Sequence, residues 1–387
     1  MAKKSFFGEE IKRSVFISKD QLNDSTLDSV YGYFFEDTGI YNILPNSLNE
    51  MGKFLGKVFD DADYRQKGFY GIRIGGQLHF FYDNQELSIE SYGLFQSIFS
   101  RNSGILESDK MMSKRVVIIG CGSVGSLVSM ELARSGVGHF LLIDADIVEY
   151  HNICRHQCGI EDVGDLKVNA LERRLKKINP SIDVVKVEGI LQNTPKPVLD
   201  SFCDGRNTVF VGCADNRSAD VYANRISIYY SAAFVSIGFW ERAFAGEIFY
   251  HIPDRSMPCY ECALGTGSTL SSRSIANHHI YSNQENVENV VFEPGISVDI
   301  SFITMIGIKL IIDILCESDK NYTPRLLNDL KQYTLVCNTC NPAIGGEMVE
   351  VFSYPLQITT SLVVSFNLER CRNSNTCKYE LMRDKDA

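Results

Sequence analysis

Val116-Val117-Ile118-Ile119 runs directly into Gly120-Cys121-Gly122-Ser123-Val124-Gly125, and apolar residues at helical spacing follow: Leu127, Met130, Leu132 and Ala133. A short, wholly apolar run is what a central parallel strand, covered on both faces, looks like in sequence. G-x-G-x-x-G between such a strand and a helix lets the backbone approach a phosphate. The helix N-terminus then offers free N–H groups and a partial positive charge. The pattern around this loop points to an α/β fold. A second strand at 140–143 ends on Asp144, and a helix at 166–178 stops at Asn179-Pro180. Further strands are expected at 184–187, 208–211 and 234–237. Strands alternating with helices predict a doubly wound, mostly parallel sheet. After Gly246 the pattern turns antiparallel, and 265–295 reads as a polar loop.

The regions outside this core are less explicit. Residues 1–98 read as a small α+β domain. Leu48, Met51, Phe54, Leu55 and Val58 have helical spacing, and Gly75-Gly76 marks a two-residue hairpin turn. Residues 99–113 look like a linker, so the nucleotide-binding domain is drawn at 99–344. The tail, 345–387, has two β-like runs around Pro355. With 44% apolar and 22% charged side chains, the 387 residues can bury a sizeable core. A net charge of −10 argues against nonspecific binding to nucleic acid or anionic membrane. The apolar stretch 300–316 is broken by Lys309 and Asp313, so it reads as a buried helix and not a membrane span. The first residues have no apolar core of a signal peptide, and a cytoplasmic location is expected.

The glycine loop and Asp144, 24 residues beyond Gly120, form a pair in which the acid can accept ribose hydroxyls. The pair fits NAD or FAD at least as well as ATP. The residues that follow favour a triphosphate. Asp144-Ala145-Asp146 leads to Asn152-Ile153-Cys154-Arg155-His156, and Lys167 lies 12 residues past Arg155. Two cations beside a ribose acid can neutralise a triphosphate and a departing pyrophosphate. A further strand, 208–211, ends in Gly212-Cys213-Ala214-Asp215-Asn216, where Asp215 is placed to hold magnesium. His156 and Cys121 have a bland alternative, as packing residues.

Twelve cysteines without a secretion signal favour metal binding or catalysis over disulfides. Cys259-Tyr-Glu-Cys262 and Cys337-Asn-Thr-Cys340 are two C-x-x-C pairs, and four thiolates can close a tetrahedral structural zinc site. Zinc through Cys259, Cys262, Cys337 and Cys340 is therefore expected. Cys371 and Cys377, in the tail, read as two exposed thiols.

In this ordered series the chain resembles the ThiF family of the ubiquitin-activating-enzyme superfamily. The matching positions are the glycine loop, Asp144-x-Asp146, Asn152-x-x-Arg155, Lys167, Asp215-Asn216 and the two C-x-x-C pairs, over about residues 100–340. That family includes molybdopterin-synthase adenylyltransferases and the peptide-adenylating enzymes of microcin C biosynthesis. The resemblance implies a Rossmann-like adenylation domain with zinc knuckles, using ATP and magnesium. Gly120, Gly122, Gly125, Asp144, Asp146, Asn152 and Asn216 would belong to the nucleotide site, with Asp144 on the ribose. Asn152, Arg155 and Lys167 would contact phosphates, and Asp215 would organise magnesium and the attack. Ser100-Arg101-Asn102 resembles the family's arginine motif, which reaches into the neighbouring subunit's site, so a homodimer is implied. His156 departs from the Gln found in many relatives.

The implied reaction is activation of a C-terminal carboxylate as an acyl-adenylate. The substrate is a ribosomally made peptide or a ubiquitin-like protein ending in Gly-Gly. The N-terminal extension stands where microcin-type enzymes carry a peptide-clamping domain, which favours a peptide. Residues 263–315 contain no cysteine, so the enzyme is expected to form no thioester on itself. An NAD-dependent oxidoreductase would leave Lys167 and Asp215 without a role. A non-catalytic pseudo-adenylation module should have lost one of Arg155, Lys167 and Asp215.

Overall fold

The computed structural model describes residues 12–362, apart from 215, 254, 256 and 265–293. The chain divides into two compact units. The first ends at Ser103 and takes in Asn179–Ser181, and the second begins at Gly104.

The first unit is built on one eight-stranded sheet. Its strands are β1 (Ser14–Ser18), β2 (Ser29–Phe35), β3 (Ile40–Ile43), β4 (Lys53–Phe59), β5 (Phe69–Ile74), β6 (Gln77–Tyr82), β7 (Gln85–Glu86) and β8 (Ser88–Tyr92). Their order across the sheet is β7-β6-β5-β4-β2-β3-β1-β8. Alternate residues Val15 and Ile17 turn inward, onto a core that includes Val30, Tyr41, Ile43, Phe69 and Phe80. Gly75 and Gly76 have φ of +59° and +83° between the paired Ile74 and Gln77, the geometry a two-residue hairpin needs.

The helix expected from Leu48 to Val58 does not form. Asn46–Met51 is a 3-10 turn, and the remainder is β4, held between β2 and β5. A helix would have buried Leu48 and Phe54 on one face. Instead Leu48 is 7% exposed and Phe54 55% exposed. Strand partners on both sides outweigh a five-residue coincidence of spacing.

The second unit carries the doubly wound sheet. Parallel strands β9 (Arg115–Ile119), β10 (His139–Asp144), β11 (Asp183–Glu188), β12 (Thr208–Gly212) and β13 (Ala233–Phe239) stand where the sequence predicts them. Antiparallel β14 (Ala245–His251), β15 (Tyr333–Cys337) and β16 (Ile358–Ser361) extend it, giving the order β11-β10-β9-β12-β13-β14-β15-β16. The period of two along β9 divides the core. Val116 and Ile118 face helices Ser123–Arg134, Lys167–Ile178 and Ser297–Cys316, whereas Val117 and Ile119 face helices Lys196–Phe202 and Arg217–Tyr229.

Helix Ser297–Cys316 is the apolar stretch of the sequence. Its Asp313 is fully buried, and its carboxylate accepts from the backbone N–H groups of Arg325, Leu326 and Leu327 and from the Tyr322 hydroxyl. These donors let a carboxylate sit in the core. No helix among the described residues is long and apolar enough to cross a membrane.

Candidate functional site at the switch point of the sheet

The chain leaves β9 toward one face of the sheet and β12 toward the other, so a crevice opens between them at their C-terminal ends. In open α/β sheets this is where ligands bind. The glycine loop follows β9, and Cys213, Ala214 and Asn216 follow β12. A Cβ on Gly120 (φ +90°) would lie 3.0 Å from the Ala214 nitrogen, so the two loops touch. A Cβ on Gly125 would fall 1.9 Å from the Gly120 carbonyl oxygen, which only glycine avoids. Around Gly122 nothing lies within 4 Å of the Cβ position, leaving open space before the helix. That helix, Ser123–Arg134, has no side-chain cap at Gly122. Its first N–H groups therefore remain available to an anion.

Asp144, at the end of β10, is 9% exposed. Its Oδ2 accepts from the Cys121 N–H at 2.6 Å, and its Oδ1 accepts from the Asp146 N–H at 2.8 Å. The acid is thus locked against the glycine loop. Lys167 opens its helix and is 8% exposed, with its Nζ donating to Asp146 Oδ2 at 2.8 Å. A buried ammonium has been brought to the acid loop, and its partner carboxylate is open to solvent.

Asn152 Oδ1 accepts from the Glu149 N–H and closes the turn Tyr150–Asn152. The Arg155 N–H in turn donates to the Asn152 carbonyl. Asn216 caps helix Arg217–Tyr229, accepting from the Ser218 N–H at 2.8 Å. Asp215 lies outside the described residues. Arg101 is exposed and belongs to the first unit.

Residues 96–343, more than half of the chain, match the ThiF family profile. The chain belongs to the ThiF family. Among its relatives, ubiquitin-like modifier-activating enzyme 5 of Arabidopsis thaliana is 28% identical over 187 residues, 44% of this chain and 43% of that protein. The sulfur carrier protein ThiS adenylyltransferase of Bacillus subtilis is 31% identical over 162 residues, 40% of this chain and 45% of that protein. The chain thus matches less than half the length of these relatives. A crystal structure of E. coli MccB with MccA-N7isoASN is similar at a TM-score of 0.47 and 20% identity, over 67% of each chain.

The four cysteines named for zinc, Cys259, Cys262, Cys337 and Cys340, stand as two separate pairs in this structure. Among the described residues no group of three or more His, Cys, Asp or Glu is gathered for a metal. The register explains why. Cys337 pairs with Ala245 at the start of β14, whereas Tyr333 pairs with Phe249 near its end. Cys259 follows the end of β14, and the Pro258 carbonyl accepts from Gln332 Nε2 at 2.6 Å. The C-x-x-C pairs thus lie at opposite ends of β15. Four residues at ~3.3 Å each separate those ends, against ~4 Å between thiolates on one zinc. Cys337 and Cys340 pack instead with Trp240, Phe244, Val349 and Phe352.

Two contributors to the ThiF site escape sequence reasoning. Glu247 on β14 is 2% exposed and accepts from Arg217 Nη2 (3.0 Å), Trp240 Nε1 (3.3 Å) and the Tyr333 hydroxyl (2.6 Å). Arg217 follows Asn216, so this buried pair anchors the loop leaving β12. A lone Glu in the apolar strand Ala-Gly-Glu-Ile-Phe-Tyr-His was the available signal.

His156 is the other. It is 7% exposed, its Nδ1 accepts from the Cys158 N–H, and its Nε2 therefore donates to the Cys121 carbonyl at 2.7 Å. This neutral imidazole ties the Arg155 segment to the glycine loop. Burial pushes its pKa below the ordinary value. A depressed histidine pKa means that the unfolded chain takes up the proton first. The contribution to stability is present above the unfolded value of ~6.5 and is lost as pH falls through the folded value. His156→Gln keeps a donor but no titration. Thermal melts from pH 8 to 5 should therefore destabilise wild type more than His156→Gln, and parallel curves would refute this role.

Proposed function

We propose that this chain is an ATP- and magnesium-dependent adenylyltransferase that activates the C-terminal carboxylate of a peptide. A carboxylate oxygen attacks the α-phosphorus and forms a new P–O bond. The bond to the β-phosphate oxygen breaks, and pyrophosphate leaves with the electron pair. The observation that carries this reading is the pairing of an uncapped helix N-terminus with the buried Lys167 at one crevice. Both favour a polyphosphate, whereas a hydride-transfer site has no need of the cation.

In this reading Asp144 serves the ribose, and Asp146 belongs to the nucleotide site as the partner of Lys167. Asn152, Arg155 and Lys167 hold phosphates against the repulsion of the incoming carboxylate, with Asn216 beside them. Asp215 holds magnesium, which when bound offsets charge on the leaving pyrophosphate. The adenylate passes to a partner or second substrate without a thioester on the enzyme. Support for a peptide comes from the separate β-rich first unit, where Tyr33, Phe35 and Phe54 are exposed on β2 and β4. The second reading, activation of a ubiquitin-like or sulfur-carrier protein, is supported by the named activities of the sequence relatives. ATP–pyrophosphate exchange with free C-terminal peptides and small Gly-Gly proteins tests both.

Arg101 completes the site of a second subunit in a twofold homodimer, an isologous arrangement in which each chain supplies what its partner lacks. Arg101→Ala and Asp215→Ala proteins, each inactive alone, should regain part of the exchange activity when mixed. One composite site then keeps both residues. No recovery on mixing, or a monomer by sedimentation, would contradict the assignment.

A further inference from the structure

We propose that the second unit binds a small carboxylate with a short apolar chain, in a cavity at the end of the sheet opposite the nucleotide crevice. The cavity has a volume of about 530 Å³, within the range of small-molecule sites. It lies between residues 107–114, which lead into β9, and residues 316–322, where the chain leaves helix Ser297–Cys316. Lys114 stands directly before the N-terminal end of β9, whereas the glycine loop follows its C-terminal end. The two sites are therefore separate. Lys114 carries the inference. It is 7% exposed, and its Nζ donates to Asn207 Oδ1 at 2.8 Å. An ammonium has three N–H donors, and among the described residues no carboxylate forms an ion pair with this one. Burial pushes its pKa below the ordinary value. A buried charge without a counterion is costly, and an anion in the adjoining cavity would supply both the charge and the missing acceptors.

The rest of the wall sets the kind of anion. Lys110 Nζ is shared by Glu107 Oε2 at 2.7 Å and Asp319 Oδ1 at 2.8 Å, so these carboxylates already have a cation. With Lys320 on the same wall, three lysines face two acids, a surplus of one positive charge. A single carboxylate balances that surplus, whereas a polyphosphate would be repelled by Glu107 and Asp319. Met111 and Cys316 are buried beside Lys114, with their sulfurs 3.5 Å apart. They give the cavity a soft apolar side suited to a short alkyl chain.

The test is calorimetric titration of the full-length protein with hexanoate, with hexanamide as the uncharged probe and inorganic phosphate as the chainless one. Hexanoate should bind saturably, and the other two at least about tenfold more weakly. Lys114→Met keeps the apolar volume and removes the charge, so it should weaken hexanoate binding at least about tenfold. Should that variant fail to fold, acetylation of wild type gives the answer. Hexanoate should shield Lys114 from acetic anhydride, read by peptide mass spectrometry, and leave the exposed Lys177 unchanged. Equal binding of hexanamide or phosphate, unchanged affinity in Lys114→Met, no shielding of Lys114, or no hexanoate binding to wild type would overturn the proposal. None of the probes involves ATP, so failure here leaves the adenylation reading untouched.

Discussion

Asp215→Ala is expected to abolish substrate-dependent pyrophosphate exchange while leaving the protein folded. Removing one preorganised electrostatic contact to a reacting phosphate costs ~3–4 kcal/mol, or a few hundredfold in rate. The fold should survive because the residues beside it have their own anchors: Asn216 caps its helix, and Arg217 is paired with the buried Glu247. Lys167→Ala should be nearly as severe. It removes a buried cation and leaves Asp146, whose side chain is 70% exposed, to repel the phosphates. Near-normal exchange in Asp215→Ala would contradict the roles assigned to this loop. Circular dichroism on the same samples separates lost chemistry from lost structure.

Gly125→Ala should be the most damaging single methyl group in the nucleotide site. Its Cβ would sit 1.9 Å from the Gly120 oxygen and 3.1 Å from Ile118 Cγ2, so the loop or the helix must move. Overpacking of this kind typically costs ~1–3 kcal/mol, and a misplacement of ~1 Å at a reacting centre costs about a hundredfold. Gly122→Ala is the informative control. Its Cβ meets nothing within 4 Å, and its φ of −74° suits any residue. It should melt with wild type and yet bind ATP more weakly, because the methyl occupies the space left for phosphate. Equal ATP affinity in Gly122→Ala and wild type, measured by calorimetry, would remove the phosphate from this loop.

The parallel half of the sheet was legible because β9, β10, β12 and β13 are buried on both faces and read as largely apolar runs, as in Val-Val-Ile-Ile and Thr-Val-Phe-Val, while edge strand β11 shows its valines among Asp183, Lys186 and Glu188. The order of chemistry-bearing residues was legible too, since each follows a strand end. What the sequence concealed was long-range register. Helical spacing from Leu48 to Val58 could not reveal that β2 and β5 would flank β4. Two C-x-x-C pairs could not reveal that one would follow β14 and the other close β15, at opposite ends of that strand. His156 was read as packing because its partner, the Cys121 carbonyl, lies 35 residues away on another loop. Glu247 was invisible for the same reason, with donors 30 and 86 residues distant. Short-range pattern gave the strands and the motif, and only the fold gave the partners.

The most direct test of the adenylation reading is labelled pyrophosphate exchange into ATP, with peptides offered as free C-terminal carboxylates and as C-terminal amides. Exchange should require magnesium and a free carboxylate, and it should vanish with the amide of the same sequence. Exchange that ignores the state of the C-terminus, or protein that retains NAD and does not bind ATP, would contradict the account.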